Sequence, residues 1–332
     1  MFNGKSILIT GGTGSFGEEC VRMILAHYSP RKIIIFSRGE LKQYQMRQKF
    51  YCSNIHYMLG DVRDAQRLRQ AMRGVDYVIH AAALKHVETC ESNPMECIKT
   101  NVIGAQNVID AAIENKVHKV IALSTDKAVN PISLYGAAKL AADKLFIAAN
   151  HIDGHNTQFS IVRYGNVAGS SGSIVPYFQK LIRERSPFLP ITDARMTRFW
   201  LTLERGIQFV FLCFMRMQGG EIFIPKIPSI RIVDLATAFA PDLPHKIIGI
   251  RAGEKLHELM CSQDEIRQTI KFSDHYVIQP AMTPKNNLNY FINLLSEKGV
   301  LIQNSLELHS NTNPNFLSID EITMLNNHVG VT

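Results

Sequence analysis

The stretch Thr10-Gly11-Gly12-Thr13-Gly14-Ser15-Phe16-Gly17 stands between an apolar run, Ser6-Ile7-Leu8-Ile9-Thr10, and a helical pattern over Gly17–Ala26. Glycines at such a junction let the backbone turn tightly and approach a pyrophosphate, which rests on the positive N-terminus of the helix. A glycine-rich turn alone says little; its context makes this one specific. A strand precedes it, a helix follows, and a second apolar run, Lys32–Ser37, ends about 20 residues later, as a dinucleotide-binding fingerprint requires.

The same rhythm runs outward from that turn. Further apolar runs lie at Ile55–Leu59, Tyr77–Ala81, Lys119–Ser124 and Gln158–Arg163, and helical patterns at Ala65–Met72, Pro94–Asn115 and Tyr135–Ala149. Short buried strands alternating with helices predict an α/β fold with a Rossmann-type doubly wound parallel sheet. Past Gly165 the alternation turns irregular and Gly, Ser and Pro become frequent, as at Gly169, Gly172, Pro176, Pro187 and Pro190. Residues 1–166 are therefore expected to form the nucleotide-binding domain. Residues 167–332 are expected to form mainly a smaller C-terminal substrate-binding domain, with parts of 200–245 returning to the first.

Composition narrows the function classes. Of 332 residues, 46% are hydrophobic and 20% charged, which is ordinary for a globular chain. The formal charge of +7 comes from dispersed Lys and Arg, without a basic run, so phosphorylated small molecules are better partners than nucleic acid. No run nears the ~18 apolar residues of a membrane span, and no secretory cleavage pattern is visible, so a cytoplasmic protein without a membrane partner is expected. Six scattered cysteines read as buried thiols, and twelve histidines form no H-E-x-x-H, so no metal is expected.

The second strand ends in Ser37-Arg38-Gly39-Glu40-Leu41-Lys42. An NAD-preferring site carries an acid there for the ribose 2′-hydroxyl; Arg38 and Lys42 suit a 2′-phosphate and hence NADP. After the third strand, Asp61 is placed to accept from an adenine amino group, with Val62 against the ring. A plain turn with a helix cap at Asp64 accounts for Gly60–Asp64 nearly as well. Farther along, Tyr135-Gly136-Ala137-Ala138-Lys139 puts a phenol and an ammonium four residues apart on one helix face. An ammonium nearby lowers a phenol's pKa from ~10 and lets it serve as a base. The preceding strand closes in Ser124-Thr125-Asp126-Lys127, at the carboxyl edge where such sheets bind ligands.

Together these residues resemble the extended short-chain dehydrogenase/reductases, in their nucleotide-sugar branch. The resemblance narrows to the inverting UDP-N-acetylglucosamine 4,6-dehydratases through Asp126-Lys127, the segment 128–134 and Tyr135. It is carried also by Ala81–His86, Arg163–Asn166, Met196–Trp200 and Gly253–Glu258, and it runs from residue 5 to about 260. It implies oxidation at C4 of the sugar, loss of the C5 proton with the C6 hydroxyl, and return of hydride to C6 with inversion at C5. Tyr135 and Lys139 would serve the C4 step, Thr125 would bond the C4 oxygen, Asp126 would be the acid and Lys127 the base. That assignment needs a protonated Asp126 beside a neutral Lys127, a tautomer that burial favours over the ion pair.

The glycine-turn residues Gly11, Thr13, Gly14, Ser15, Phe16 and Gly17 are expected around NADP with Ser37, Arg38, Lys42, Asp61, Val62, Tyr135 and Lys139, and the resemblance adds Ala82, Lys85 and Val167. Lys85, Asn166, Thr192, Arg251 and Glu254 would contact the nucleotide sugar, with Arg195, Arg198 and Arg231 as rivals to Arg251 for the diphosphate. It also implies a homo-oligomer, in the form of a hexamer, and a first step of pseudaminic-acid-type sugar synthesis. The chain departs from the pattern at Gly39, Ala252 and Glu88-Thr89-Cys90. Two competing readings are a nucleotide-sugar 4-epimerase, which needs no acid–base pair at positions 126 and 127, and a non-catalytic NADP-binding sensor.

Overall fold

A computed structural model describes residues 1–170, 172–281, 288–302 and 307–328. Strand β1 (Ser6–Thr10) is buried along its whole length, as suits a run with no polar alternation. The glycine turn leads into α1 (Ser15–His27), then β2 (Lys32–Ser37), α2 (Glu40–Lys49), β3 (Ile55–Leu59), α3 (Ala65–Ala71) and β4 (Tyr77–His80). Next come α4 (Val87–Ser92), α5 (Pro94–Ile98), α6 (Gly104–Glu114), β5 (Lys119–Thr125), α7 (Leu134–Ala149) and β6 (Gln158–Tyr164).

The expected elements are present with ends shifted by a residue or two, save one. The helix expected over Pro94–Asn115 is broken by a π-turn at Lys99–Ile103. The wider turn aims the Asn101 amide at the backbone of Leu84: Nδ2 donates to the Leu84 carbonyl at 2.9 Å, and Oδ1 accepts from its N–H at 2.8 Å. Hydrophobic periodicity carries no sign of such a bulge. Of the six cysteines five are buried, but Cys52 is exposed, against expectation.

The remaining chain forms β7 (Asn166–Val167), α8 (Ile174–Arg183), β8 (Leu189–Ile191), β9 (Thr197–Leu201), α9 (Leu203–Arg216), β10 (Ile222–Pro225), β11 (Ser229–Arg231) and α10 (Ile232–Phe239). It ends with β12 (His245–Ile247), β13 (Leu259–Cys261), α11 (Gln263–Ile266), β14 (Thr269–Lys271), β15 (His275–Ile278), β16 (Val300–Leu301), β17 (Leu308–His309) and α12 (Ile319–His328).

Among the described residues the main sheet has the order β3-β2-β1-β4-β5-β6-β10-β15-β14-β16. From β3 to β10 all neighbours are parallel; β15, β14 and β16 add an antiparallel margin. One apolar core fills each face, around Leu8, Val78 and Val120 on one side and Ile7, Ile9 and Ile121 on the other. A third core, around Phe178, Trp200 and Leu235, belongs to the smaller sheets β11-β9-β7 and β12-β8 with α8 and α10. Strand order reverses between β1 and β4, and ligands in such sheets bind in the crevice beyond the carboxyl ends at that point. No described helix is long and apolar enough to cross a membrane.

Candidate active site

At the switch point lies a cleft of about 1110 Å3. Its floor is the glycine turn. Gly11 has φ +67°, and a Cβ there would sit 2.9 Å from the Ala82 nitrogen. A Cβ on Gly17 would lie 2.4 Å from the Gly12 Cα, so Gly17 serves the packing of α1 on the turn and does not line the cleft. Gly14, just before α1, would meet only the Gly11 carbonyl at 3.3 Å. The protein thus fills the space behind the turn and leaves its front, with Thr13, Ser15 and Phe16, open to the cleft. That cradle fits a dinucleotide pyrophosphate.

Ser37, Arg38 and Lys42 border the same cleft from the end of β2. Gln43, which the sequence did not single out, fixes that edge: its amide donates to the Ser37 carbonyl and hydroxyl and to the Met58 carbonyl, at 3.1, 3.0 and 2.9 Å. Arg38 is half-exposed, and its Nη1 lies 3.8 Å from Asp61. Asp61 itself accepts from the Arg63 backbone and guanidinium, which with Arg38 hold its carboxyl below the usual range although burial opposes this. The cap is present, with Asp64 accepting from the Arg67 N–H at the start of α3, and Asp61 and Val62 line the cleft. Ala82 and Lys85 line the adjoining wall.

Beyond β5 the chain makes a short 3-10 turn, Asp126–Ala128, and α7 then opens with Ser133 capping the Gly136 N–H. Thr125, Lys127, Tyr135 and Lys139 all border the cleft. Asp126 is completely buried just behind them. Its Oδ1 accepts from Lys127 Nζ at 3.1 Å and from the Thr125 hydroxyl at 3.0 Å. Lys139 donates to the Leu123 carbonyl at 2.7 Å, which pins α7 to the end of β5.

Electrostatics here differ from the expectation. Burial opposes a charge on Lys127, but Asp126 and Glu258 outweigh it and push its pKa up, away from the neutral amine that the assignment needs. Burial likewise pushes the Tyr135 phenol up to about 12, against the opposing pull of Lys127 and a hydrogen bond with Thr125. Lys127 is the cation that lowers the phenol in this structure, while Lys139 gives one N–H to the Leu123 carbonyl and lines the cleft with Tyr135.

Asn166 and Val167 reach the cleft from β7, and the buried Asn166 Oδ1 accepts no hydrogen bond among the described residues. Thr192, Arg251 and Glu254 do not line the cleft. The Thr192 hydroxyl donates to the Met196 sulfur at 3.1 Å, Arg251 faces Glu88 at 3.8 Å, and Glu254 faces Arg198 at 3.4 Å. Arg198 spends its guanidinium on the carbonyls of Thr197, Lys255 and Leu256, and Arg195 on Asp193. The structure adds Glu258, buried against Lys127, a group with no role assigned from the sequence. Its signs in the sequence are its place at the end of the Gly253–Glu258 stretch and an acid immediately before the apolar Leu259-Met260. Among the described residues no His, Cys, Asp and Glu cluster could hold a metal.

The family described as polysaccharide biosynthesis protein matches residues 7–280. A UDP-N-acetylglucosamine 4,6-dehydratase (inverting) of Campylobacter jejuni is 58% identical over 330 residues, 99% of either chain. A UDP-glucose 4-epimerase of Rickettsia canadensis is 39% identical, covering 99% of this chain and 98% of its own. Among solved structures, Pen from Bacillus thuringiensis superposes with a TM-score of 0.90 at 34% identity over the whole of both chains. DesIV, a dTDP-glucose 4,6-dehydratase from Streptomyces venezuelae solved with NAD, gives 0.69 at 23% identity, over 76% of this chain and 86% of its own.

Proposed function

The chain belongs to the polysaccharide biosynthesis family that includes the inverting UDP-N-acetylglucosamine 4,6-dehydratases, and we propose on that basis that it dehydrates UDP-N-acetylglucosamine with inversion at C5, using NADP. The observation that carries this reading is the Asp126–Lys127 pair at the edge of the cleft, 3.1 Å apart, beside Tyr135. An epimerase working at C4 needs a base there but has no use for a second acid–base pair.

The glycine turn and Arg38 with Lys42 would hold the cofactor, which when bound supplies a hydride acceptor for C4 and a donor for C6. Tyr135 takes the proton of the C4 hydroxyl, with Thr125 bonding the same oxygen. The C4 ketone acidifies C5. Moving one proton from Lys127 Nζ to Asp126 Oδ1 then creates a free amine and a carboxylic acid together, without changing the proton count of the pair. The amine takes the C5 proton, and the acid protonates the departing C6 hydroxyl. Residues 1–166 hold the cofactor in this reading, and 167–332 mainly the nucleotide sugar.

The test is a proton NMR time course of the protein with UDP-N-acetylglucosamine and NADP in heavy water. A new C6 methyl signal, deuterium at C5 and no net change in cofactor are expected. An unchanged sugar spectrum would refute the reading, and a C4 epimer without a methyl signal would favour epimerisation.

A further inference from the structure

Glu258 is 1% exposed and lies in the loop before β13. Its Oε1 stands 3.1 Å from Lys127 Nζ, as close as Asp126 Oδ1 does on the other side. A carboxylate buried this deeply is costly unless a cation answers it. Arg198 Nε and Lys255 Nζ are each 4.0 Å away, at the limit of contact, and Oε2 accepts no hydrogen bond among the described residues. Lys127 is thus its nearest partner. The loop is tied down at this point: the Glu258 N–H donates to the Ser310 hydroxyl at 2.9 Å, which bonds Thr197 at 2.7 Å. Burial raises the Glu258 pKa, Lys127 opposes that rise, and the Asp126 carboxylate adds to it.

We propose that Glu258 is a positioning residue for the elimination step: its carboxylate holds Lys127 Nζ in place while that nitrogen exchanges a proton with Asp126 and takes the C5 proton. The inference rests on the dehydratase reading. Before the step Asp126 carries a proton and Lys127 is an amine. The C5–H electrons become the C5–C6 double bond, the C6–O bond breaks, and the hydroxyl leaves as water with the Asp126 proton. Lys127 is left as an ammonium between two carboxylates, which is the arrangement in the structure. Without Glu258, Nζ loses one of the two carboxylates that hold it in place.

The groups facing Glu258 are Asp126 and Lys127 on the 3-10 turn, Arg198 on β9 and Lys255 on its own loop, with Tyr135 of α7 beyond Lys127. Removing its negative charge makes each protonated neighbour less stable. Both limbs of the pH profile of kcat therefore move to lower pH.

The test is Glu258→Gln, which keeps the shape, assayed with UDP-N-acetylglucosamine and NADP across pH. We expect kcat to fall about tenfold or more, corresponding to ~1.4 kcal/mol, with KM changed far less. Both limbs should shift to lower pH, and C4 oxidation should persist as a stoichiometric reduced-nicotinamide signal. Glu258→Asp should return the limbs to their wild-type positions. A lowered kcat with unmoved limbs would reduce Glu258 to a structural role and overturn the proposal, as would an unchanged kcat. If the Gln variant does not fold, Glu258→Asp decides through kcat, because its shorter carboxylate withdraws from Lys127: a decrease with C4 oxidation intact supports the proposal and no decrease sinks it. Wild-type protein that makes no 6-deoxy product would instead end the dehydratase reading.

Discussion

At Lys127 the electrostatics of the site and the chemistry asked of it pull in opposite directions. Asp126 and Glu258 hold the ammonium, yet the proposed reaction uses the amine, so the proton must have somewhere close to go. Asp126 Oδ1, 3.1 Å away, is that place. Lys127→Ala should therefore stop product formation while still allowing C4 oxidation, read as one equivalent of reduced nicotinamide per site; multiple turnovers would remove the lysine from the mechanism. At the other end of the cleft, Arg38→Ala should weaken NADP relative to NAD by about tenfold or more, the worth of one charge-assisted contact. Comparing KM for the two cofactors tests this, and an unchanged ratio would mean that the 2′-phosphate is read elsewhere. The sequence exposed these residues because chemistry forces their types and spacing. It could not expose Glu258, whose partner lies 131 positions away (Lys127 to Glu258) and meets it only through the packing of β13 on the 3-10 turn. Arg251 is a different case: a guanidinium suits a diphosphate anywhere, and in this structure it is half-exposed and stands 3.8 Å from the exposed Glu88.

Among the elements, α7 does the most for the site, since it carries Tyr135 and Lys139 and closes over the 3-10 turn. Gly136 makes that closure possible: a Cβ there would stand 2.2 Å from the Lys127 carbonyl oxygen and 3.0 Å from the Pro131 Cβ. Backbone cannot yield cheaply, so Gly136→Ala should push the helix off the turn. Overpacking of this kind costs about 1–3 kcal/mol. Urea unfolding should show that loss and kcat should drop with it; full stability and full activity would mean that the turn adapts freely. Strands up to β6 and most helices between them were legible because their periods are set by burial on a parallel sheet; α2 and α4 were not, since α2 buries only Gln43 and Met46 and α4 only Cys90. The π-turn at Lys99–Ile103 was not, because its purpose is one hydrogen-bonded pairing of Asn101 with Leu84, which leaves no trace in hydrophobic spacing.

On the scale of the molecule, Arg163 joins the sheet to the returning chain. It is 1% exposed on β6, donates to both oxygens of Glu265 at 3.0 Å and to the Met260 carbonyl at 3.1 Å, and lies 3.8 Å from Asp143 on α7. Arg163→Met would strand Asp143 in the interior and leave the part-buried Glu265 without its cation. Breaking a buried pair in this way costs about 3–5 kcal/mol, so its unfolding midpoint should fall sharply, while Glu265→Gln together with Arg163→Met should recover part of the loss. A variant as stable as wild type would show that water reaches the pair. The main sheet is not finished at residue 166: β10 arrives only after β7, β8 and β9 of the smaller sheets, and β14, β15 and β16 later still. That late recruitment has a consequence for synthesis on the ribosome. About 60 residues separate the end of β6 from the start of β10, which at 5–20 residues per second leaves the newborn sheet with a bare edge for roughly 3–12 seconds. Bare edges template aggregation. A chain terminated at residue 221 should accordingly sediment with the insoluble fraction, and a translation pause placed in that interval should lower the yield of the full-length protein.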